Sequence, residues 1–261
     1  MVEFPENFMA KLNERQENNV FRKLPVSNKL VDFSSNDYLG FAKNEAIFIS
    51  VSQYLVDKGI MANGATVSRL LIGNSELYNE LEDYLANFFR SDSALVFNSG
   101  YDANIGFLLA LTELRLDLNC YLVVDEAHAI GVFGENSRGP LVEWNVENQS
   151  FARIVTFGKA LGCRGATILG SKDLTDYLVN FARSFIYTTA MPPHAQATAL
   201  IAITQLSQSE VEQLGLRANI TFFKSKLNEL GISDHFVPSN SAVHCCSVKG
   251  NDQVKEWALT L

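Results

Sequence analysis

Cys120-Tyr-Leu-Val-Val-Asp125-Glu-Ala-His128 and Arg153-Ile-Val-Thr156-Phe-Gly-Lys159 are two apolar runs of strand length, each ending in charge. A β-branched run that stops at a charged residue reads as a central strand whose C-terminal tip faces a ligand crevice, the usual binding edge of an open α/β sheet. The two runs therefore bring an acid, a histidine and a lysine to adjacent strand tips. From residue 120 onward strand and helix signals alternate: 120–124, a helical stretch at 140–148, 153–156, then Gly165-Ala-Thr-Ile-Leu-Gly170. Such alternation predicts an α/β fold with a mainly parallel sheet flanked by helices.

The rest of the chain builds outward from that sheet. Residues 5–24 carry Phe8, Leu12, Val20 and Phe21 amid dense charge and predict an amphipathic helix lying on a larger body. A short extended run at 30–34 leads to Ser35-Asn36-Asp37-Tyr38-Leu39-Gly40, a turn by its Asn-Asp pair and glycine. Helices are predicted at 45–58 and from Glu76 to Phe89, the second with Ser75 as its N-cap. Ala94-Leu-Val-Phe97 reads as a strand that breaks into Asn98-Ser-Gly100-Tyr101 before a helix near Asp102. Strand, small-residue turn and helix N-terminus in succession make an anion site, because the first-turn amides and the helix dipole point at the bound group. Residues 193–229 read as mainly helical and 236–249 as extended runs. The expected organisation is an N-terminal arm at 1–35, a large domain at 36–200 and a smaller, partial α+β domain at 201–261.

Composition excludes several function classes. The chain has 261 residues, 47% hydrophobic and 19% charged, with a net charge of −8. Its scattered lysines and arginines form no patch of the kind a phosphate backbone requires, so no nucleic-acid partner is expected. No apolar stretch reaches bilayer length and Met1-Val-Glu-Phe-Pro-Glu-Asn has no signal-peptide pattern, so a cytoplasmic, membrane-free protein is expected. Cys120, Cys163, Cys245 and Cys246 lack C-x-x-C spacing, and no metal site is expected.

Asp-Glu-Ala-His also occurs in ATP-driven helicases, but those need a Gly-x-x-x-x-Gly-Lys-Ser/Thr phosphate cradle that this sequence lacks. The plain alternative for Asp125 is a strand-end carboxylate satisfied by local amides. Lys159 is framed by Gly158, Gly162 and Gly165, which let the backbone turn tightly and a planar ligand approach it. Lysine, aspartate and helix N-terminus together match what pyridoxal phosphate needs. The amine bonds its aldehyde, the carboxylate keeps its pyridine nitrogen protonated, and the helix end holds its phosphate.

Ser34-Ser-Asn-Asp-Tyr-Leu-Gly40, Ser68-Arg-Leu-Leu-Ile-Gly-Asn74, Asn98-Ser-Gly-Tyr-Asp-Ala-Asn104, Val124-Asp-Glu-Ala-His-Ala-Ile-Gly131, Thr156-Phe-Gly-Lys-Ala-Leu-Gly162 and Phe185-Ile-Tyr-Thr-Thr-Ala190 resemble, in order, the motifs of the α-oxoamine synthases, fold-type I pyridoxal-phosphate transferases. The resemblance implies Lys159 as the Schiff-base lysine, Asp125 as the pyridinium partner, and His128 and Thr156 on the cofactor's oxygens. It implies Gly100 and Tyr101 as turn contacts, and Thr188 and Thr189 approaching the phosphate from a neighbouring subunit, hence a homodimer with shared sites. Arg22 is implied to meet the acyl substrate and Asn36 to line the substrate pocket.

The implied reaction is decarboxylative condensation of an amino acid with an acyl thioester carried by CoA or a carrier protein. In the branch most resembled, the pair is L-alanine and a pimeloyl thioester, on the route to biotin. Glycine or serine with another acyl group, or an inactive shortened homologue that serves as a binding protein, are the alternatives. Between the helix at 102–111 and the strand at 120–124 the family carries several dozen further residues, including the histidine that stacks on the cofactor ring. These have no counterpart here, and the chain is expected to be an incomplete record of a longer enzyme.

Overall fold

In the computed structural model, which describes residues 5–24, 32–112 and 120–260, three strands run one way and a fourth runs against them. The strands are β1 (Ser93–Phe97), β2 (Val123–Asp125), β3 (Ala152–Thr156) and β4 (Ala166–Gly170), in the order β1-β4-β3-β2. β2 pairs parallel with β3, while β4 is antiparallel to both β3 and β1. β4 is the one of the four strands that departs from the common direction, and the cause is chain length. Only residues 157–165 join β3 to β4, fewer than the dozen or so a parallel crossover requires. The register sets Phe97, Ala166 and Thr156 side by side and Asp125 opposite Ile154. The C-terminal tips of β1, β2 and β3 thus share one edge.

Alternation along the strands divides the core in two. Ala94, Val96, Val155 and Leu169 face one cluster with Val51 of α2 (Glu45–Asp57), Leu81 and Leu85 of α3 (Glu76–Phe89) and Ile203 of α8 (Pro193–Leu206). Leu95, Phe97, Ala152, Ile154, Ala166 and Ile168 face the other, with Phe107 of α4 (Gly100–Thr112), Leu178 of α6 (Lys172–Phe181) and Phe185 of α7 (Arg183–Ile186). This is a three-layer α/β sandwich, helices on both faces of a mixed sheet.

Several local expectations change. The helix expected at 140–148 shrinks to α5 (Pro140–Glu143), because Asn145 takes a left-handed φ of 53°. Ser75 stands at the start of α3 but does not cap it; its hydroxyl donates to Gln196 Oε1 at 3.0 Å. Of the extended runs expected at 236–249, a single bridge forms, Phe236 with Cys246. Leu30 and Val31 of the run at 30–34, and residues 113–119, lie outside the described residues.

The chain divides into two units, one of residues 1–34, 224–239 and 244–261, the other of 35–223 and 240–243. α9 (Glu210–Glu229) spans the division. In the first unit α1 (Glu6–Glu17) forms as expected but buries none of its residues. Asn19 beyond it donates to Asp252 Oδ1 at 2.7 Å and accepts from Lys255 at 3.0 Å, tying it to α10 (Asn251–Thr260).

Candidate active site

The shared edge assembles four segments. β1 ends in Asn98-Ser99-Gly100, where α4 begins; the Ser99 hydroxyl accepts from the Asp102 amide (3.1 Å) and donates to the Asp102 carboxylate (2.8 Å), capping that helix. Asn98 reaches across to the 188–189 segment. Its Nδ2 donates to Thr188 Oγ1 (2.9 Å) and to the Thr189 carbonyl (2.8 Å). Thr188 and Thr189 therefore stand at the β1 tip of their own chain. Asn98 was not singled out from the sequence, although its place between strand and helix marked it.

β3 ends in Thr156, whose Oγ1 is buried and has no hydrogen-bond partner among the described residues. A side chain on Gly100 would bring a Cβ within 2.5 Å of Thr156 Cγ2, so this close approach requires glycine. Beyond Thr156 the connection to β4 folds on itself. The Phe157 amide donates to the Gly165 carbonyl (2.9 Å), Cys163 to Phe157 (3.0 Å) and Gly162 to Lys159 (2.9 Å). Gly162 and Gly165 take φ of 61° and 121°, the conformations for which the glycine frame was expected. Lys159 sits half-buried on this connection.

β2 supplies Asp125, whose Oδ1 accepts from the Ala127 amide at 2.9 Å. Local satisfaction of one oxygen leaves Oδ2 of the same carboxylate outside that bond. His128 follows, and its Nδ1 lies 2.6 Å from the Tyr38 hydroxyl. Asp125 and His128 are both exposed. Burial lowers the Lys159 pKa, against the opposing pull of Asp125. Burial also lowers that of His128, helped by the Lys159 cation and opposed by Asp125. Lysine, histidine and aspartate therefore act on one another at the edge.

Glu126, between them in sequence, points into the core. It is 1% exposed and holds Arg153 through its Oε2, at 2.7 Å from Nε and 2.6 Å from Nη2. Tyr101 is exposed, as is Asn36, whose Oδ1 lies 3.4 Å from the Tyr38 hydroxyl. The contacts at the edge are all made within the second unit; Arg22 belongs to the first, where it is exposed.

Residues 28–117 and 110–259 match the family described as aminotransferase class I and II. The two stretches meet where the expected extra residues would fall. A putative 8-amino-7-oxononanoate synthase of Gloeobacter violaceus is 30% identical over 289 residues, covering 83% of this chain and 73% of the relative. The 8-amino-7-oxononanoate synthase of Emericella nidulans is 30% identical over 314 residues, covering 85% and 76%. Among solved structures, a serine palmitoyltransferase from S. paucimobilis superposes with a TM-score of 0.77 at 19% identity, over 95% of this chain and 86% of the other. The 8-amino-7-oxononanoate synthase of Francisella tularensis does so with a TM-score of 0.70 at 19% identity, over 90% and 87%. The structures share the fold and the relatives share the sequence: the chain belongs to the aminotransferase class I and II family, in its α-oxoamine synthase branch.

Proposed function

We propose that this α-oxoamine synthase condenses L-alanine with a pimeloyl thioester, with loss of carbon dioxide, to give 8-amino-7-oxononanoate. The observation that carries the reading is Lys159 on the β3–β4 connection, its charge coupled to Asp125 at the neighbouring strand tip. The relatives named for this product support the choice of substrates.

The residues present fit pyridoxal phosphate. The orphaned Thr156 Oγ1 offers a buried hydroxyl, Gly100 lets the N-terminus of α4 approach Thr156 closely, and amine and carboxylate stand at adjacent tips. Lys159 would hold the cofactor through Nζ, Asp125 at its ring nitrogen, and His128 and Thr156 at its oxygens. Gly100, Tyr101, Thr188 and Thr189 would hold its phosphate end, while Asn36 and Arg22 would meet the substrates. Bound there, pyridoxal phosphate supplies an electron sink for a carbanion at the amino acid's Cα.

The protein's own part is proton handling and orientation. Once the amino acid's own amine takes its place on the cofactor, Lys159 Nζ is free, and its burial-lowered pKa leaves it unprotonated more of the time, so it can accept the Cα proton as general base. Asp125 is oriented at the β2 tip by the Ala127 amide, which donates to its Oδ1. Leu71 and Ile72 are 74% and 85% exposed, which supports a homodimer that covers them. The four cysteines are free thiols, which supports a cytoplasmic setting. No helix among the described residues is long and apolar enough to cross a membrane.

The test divides protein incubated with pyridoxal phosphate into two portions: one is reduced with borohydride and peptide-mapped, and the other, left unreduced, is given L-alanine, glycine or serine with pimeloyl thioester. The reading expects label on Lys159, and carbon dioxide release with alanine. Label elsewhere, or turnover only with glycine or serine, overturns it.

A further inference from the structure

Tyr38 stands outside every role assigned above, yet its hydroxyl makes the shortest polar contact to a site residue, 2.6 Å to Nδ1 of His128. It comes from the other end of the second unit, on the turn 35–40, and that turn is firmly placed. Leu39 and Phe41 on either side are buried, the Tyr38 amide donates to the Asn36 carbonyl (2.9 Å), Asp37 Oδ1 accepts from the Ala42 amide (3.2 Å), and Gly40 closes the turn at φ 73°. The rings lie 6.2 Å apart and tilted by 45°, so the contact is between edges and is directional. A phenol has one proton to give. Nδ1 at 2.6 Å is the nearer of the two acceptors within its reach, with Asn36 Oδ1 at 3.4 Å, and the shorter distance favours the imidazole as the proton's destination.

We propose that Tyr38 is a positioning residue that donates to Nδ1 of His128 and thereby fixes the ring as the neutral tautomer with its proton on Nε2. This rests on the reading of His128 as a cofactor ligand, because the Nε2 proton is then the donor left for the cofactor's ring oxygen. The groups that face His128 agree. Burial raises the Tyr38 pKa, while burial and the Lys159 cation lower that of His128, against Asp125. Phenol and imidazole are both neutral near neutral pH, the state in which the phenol donates.

The test reads the tautomer directly. The chain has four histidines, and nitrogen NMR of histidine-labelled protein distinguishes a protonated Nε2 from a protonated Nδ1; His128→Gln identifies the signal. The expected result is His128 in the Nε2-protonated form near neutral pH, turning to a mixture of tautomers in Tyr38→Phe. A wild-type His128 protonated on Nδ1, or a folded Tyr38→Phe with the wild-type pattern, overturns the proposal. The wild-type measurement needs neither Tyr38→Phe nor cofactor, so it stands if Tyr38→Phe fails to fold. Pyridoxal phosphate titration of the wild type is run beside it. Failure to label Lys159 there sinks the functional reading and leaves the tautomer assignment intact.

Discussion

Arg153 on β3 and Glu126 just past β2 form an ion pair closed off from water, with side chains 2% and 0% exposed. Arg153 also donates to the Phe89 carbonyl (2.7 Å) and the Arg138 carbonyl (3.3 Å), and Glu126 Oε1 accepts from the Leu141 amide (3.3 Å). The pair fastens the chain just past the β2 tip to β3. Glu126→Gln leaves a buried guanidinium without its counter-charge, and is expected to cost about 3–5 kcal/mol of stability. Paired replacement by apolar residues should recover only part, because the Phe89, Arg138 and Leu141 backbone groups lose their partners. Urea denaturation of the single and double variants measures both.

Gly100→Ala separates helix propensity from close packing. Alanine at the start of α4 would by itself favour the helix by roughly 1 kcal/mol. Its Cβ would meet Thr156 Cγ2 at 2.5 Å, and a β-branched side chain has little freedom to turn away. A net loss of about 1–3 kcal/mol is expected, together with weaker pyridoxal phosphate uptake. An unchanged denaturation midpoint with normal uptake would show that Thr156 yields.

Lys159 and His128 both have pKa values lowered on folding, from 10.5 and 6.5. In each case the unfolded chain binds more protons in the window between the folded value and the ordinary one. The associated stability is therefore present above the ordinary value and is lost as pH falls through the folded one. For His128 the window lies below 6.5; for Lys159 it lies below 10.5. Lys159→Met is expected to flatten the rise in urea midpoint on the alkaline side of neutrality. Asp125→Asn removes the one influence that raises both pKa values, so Lys159 in that variant should react with pyridoxal phosphate at lower pH than in the wild type. A pH profile of borohydride-fixed label on Lys159 measures the second effect.

The sheet edge was legible because charge at the end of an apolar run marks where a strand leaves the core. Asp125, Thr156, Lys159 and the turn at Asn98-Ser99-Gly100 all arrive where that reading places them. The reversed β4 was legible too, in the shortness of residues 157–165, but apolar alternation carries no sign of strand direction and suggested parallel neighbours. Glu126 and Arg153 hid for a related reason. Inside a charged motif, nothing local tells which carboxylate stays at the surface and which turns inward. Tyr38 and His128 are 90 residues apart in the chain, and a single contact at that separation leaves no periodic trace.

Asn98 gives the sharpest functional test of the edge. Its Nδ2 serves both the Thr188 hydroxyl and the Thr189 carbonyl, and its own carbonyl accepts from Arg164 Nε at 3.3 Å. Asn98→Asp keeps the shape and replaces the donor by an acceptor, which sets the carboxylate against the Thr189 carbonyl, forces the Thr188 hydroxyl to turn round as donor, and adds a negative charge at the proposed phosphate site. Losing such hydrogen bonds costs about 1–3 kcal/mol when the partner is left unpaired, and about 1.4 kcal/mol is tenfold in binding. Pyridoxal phosphate affinity is therefore expected to fall by about ten- to a hundredfold, with a smaller change in denaturation midpoint because Thr189 is exposed. Asn98→Ala, which loses the donor without adding charge, should lie between the two. Equal affinity in all three proteins, measured by cofactor titration, would remove the 188–189 segment from the site.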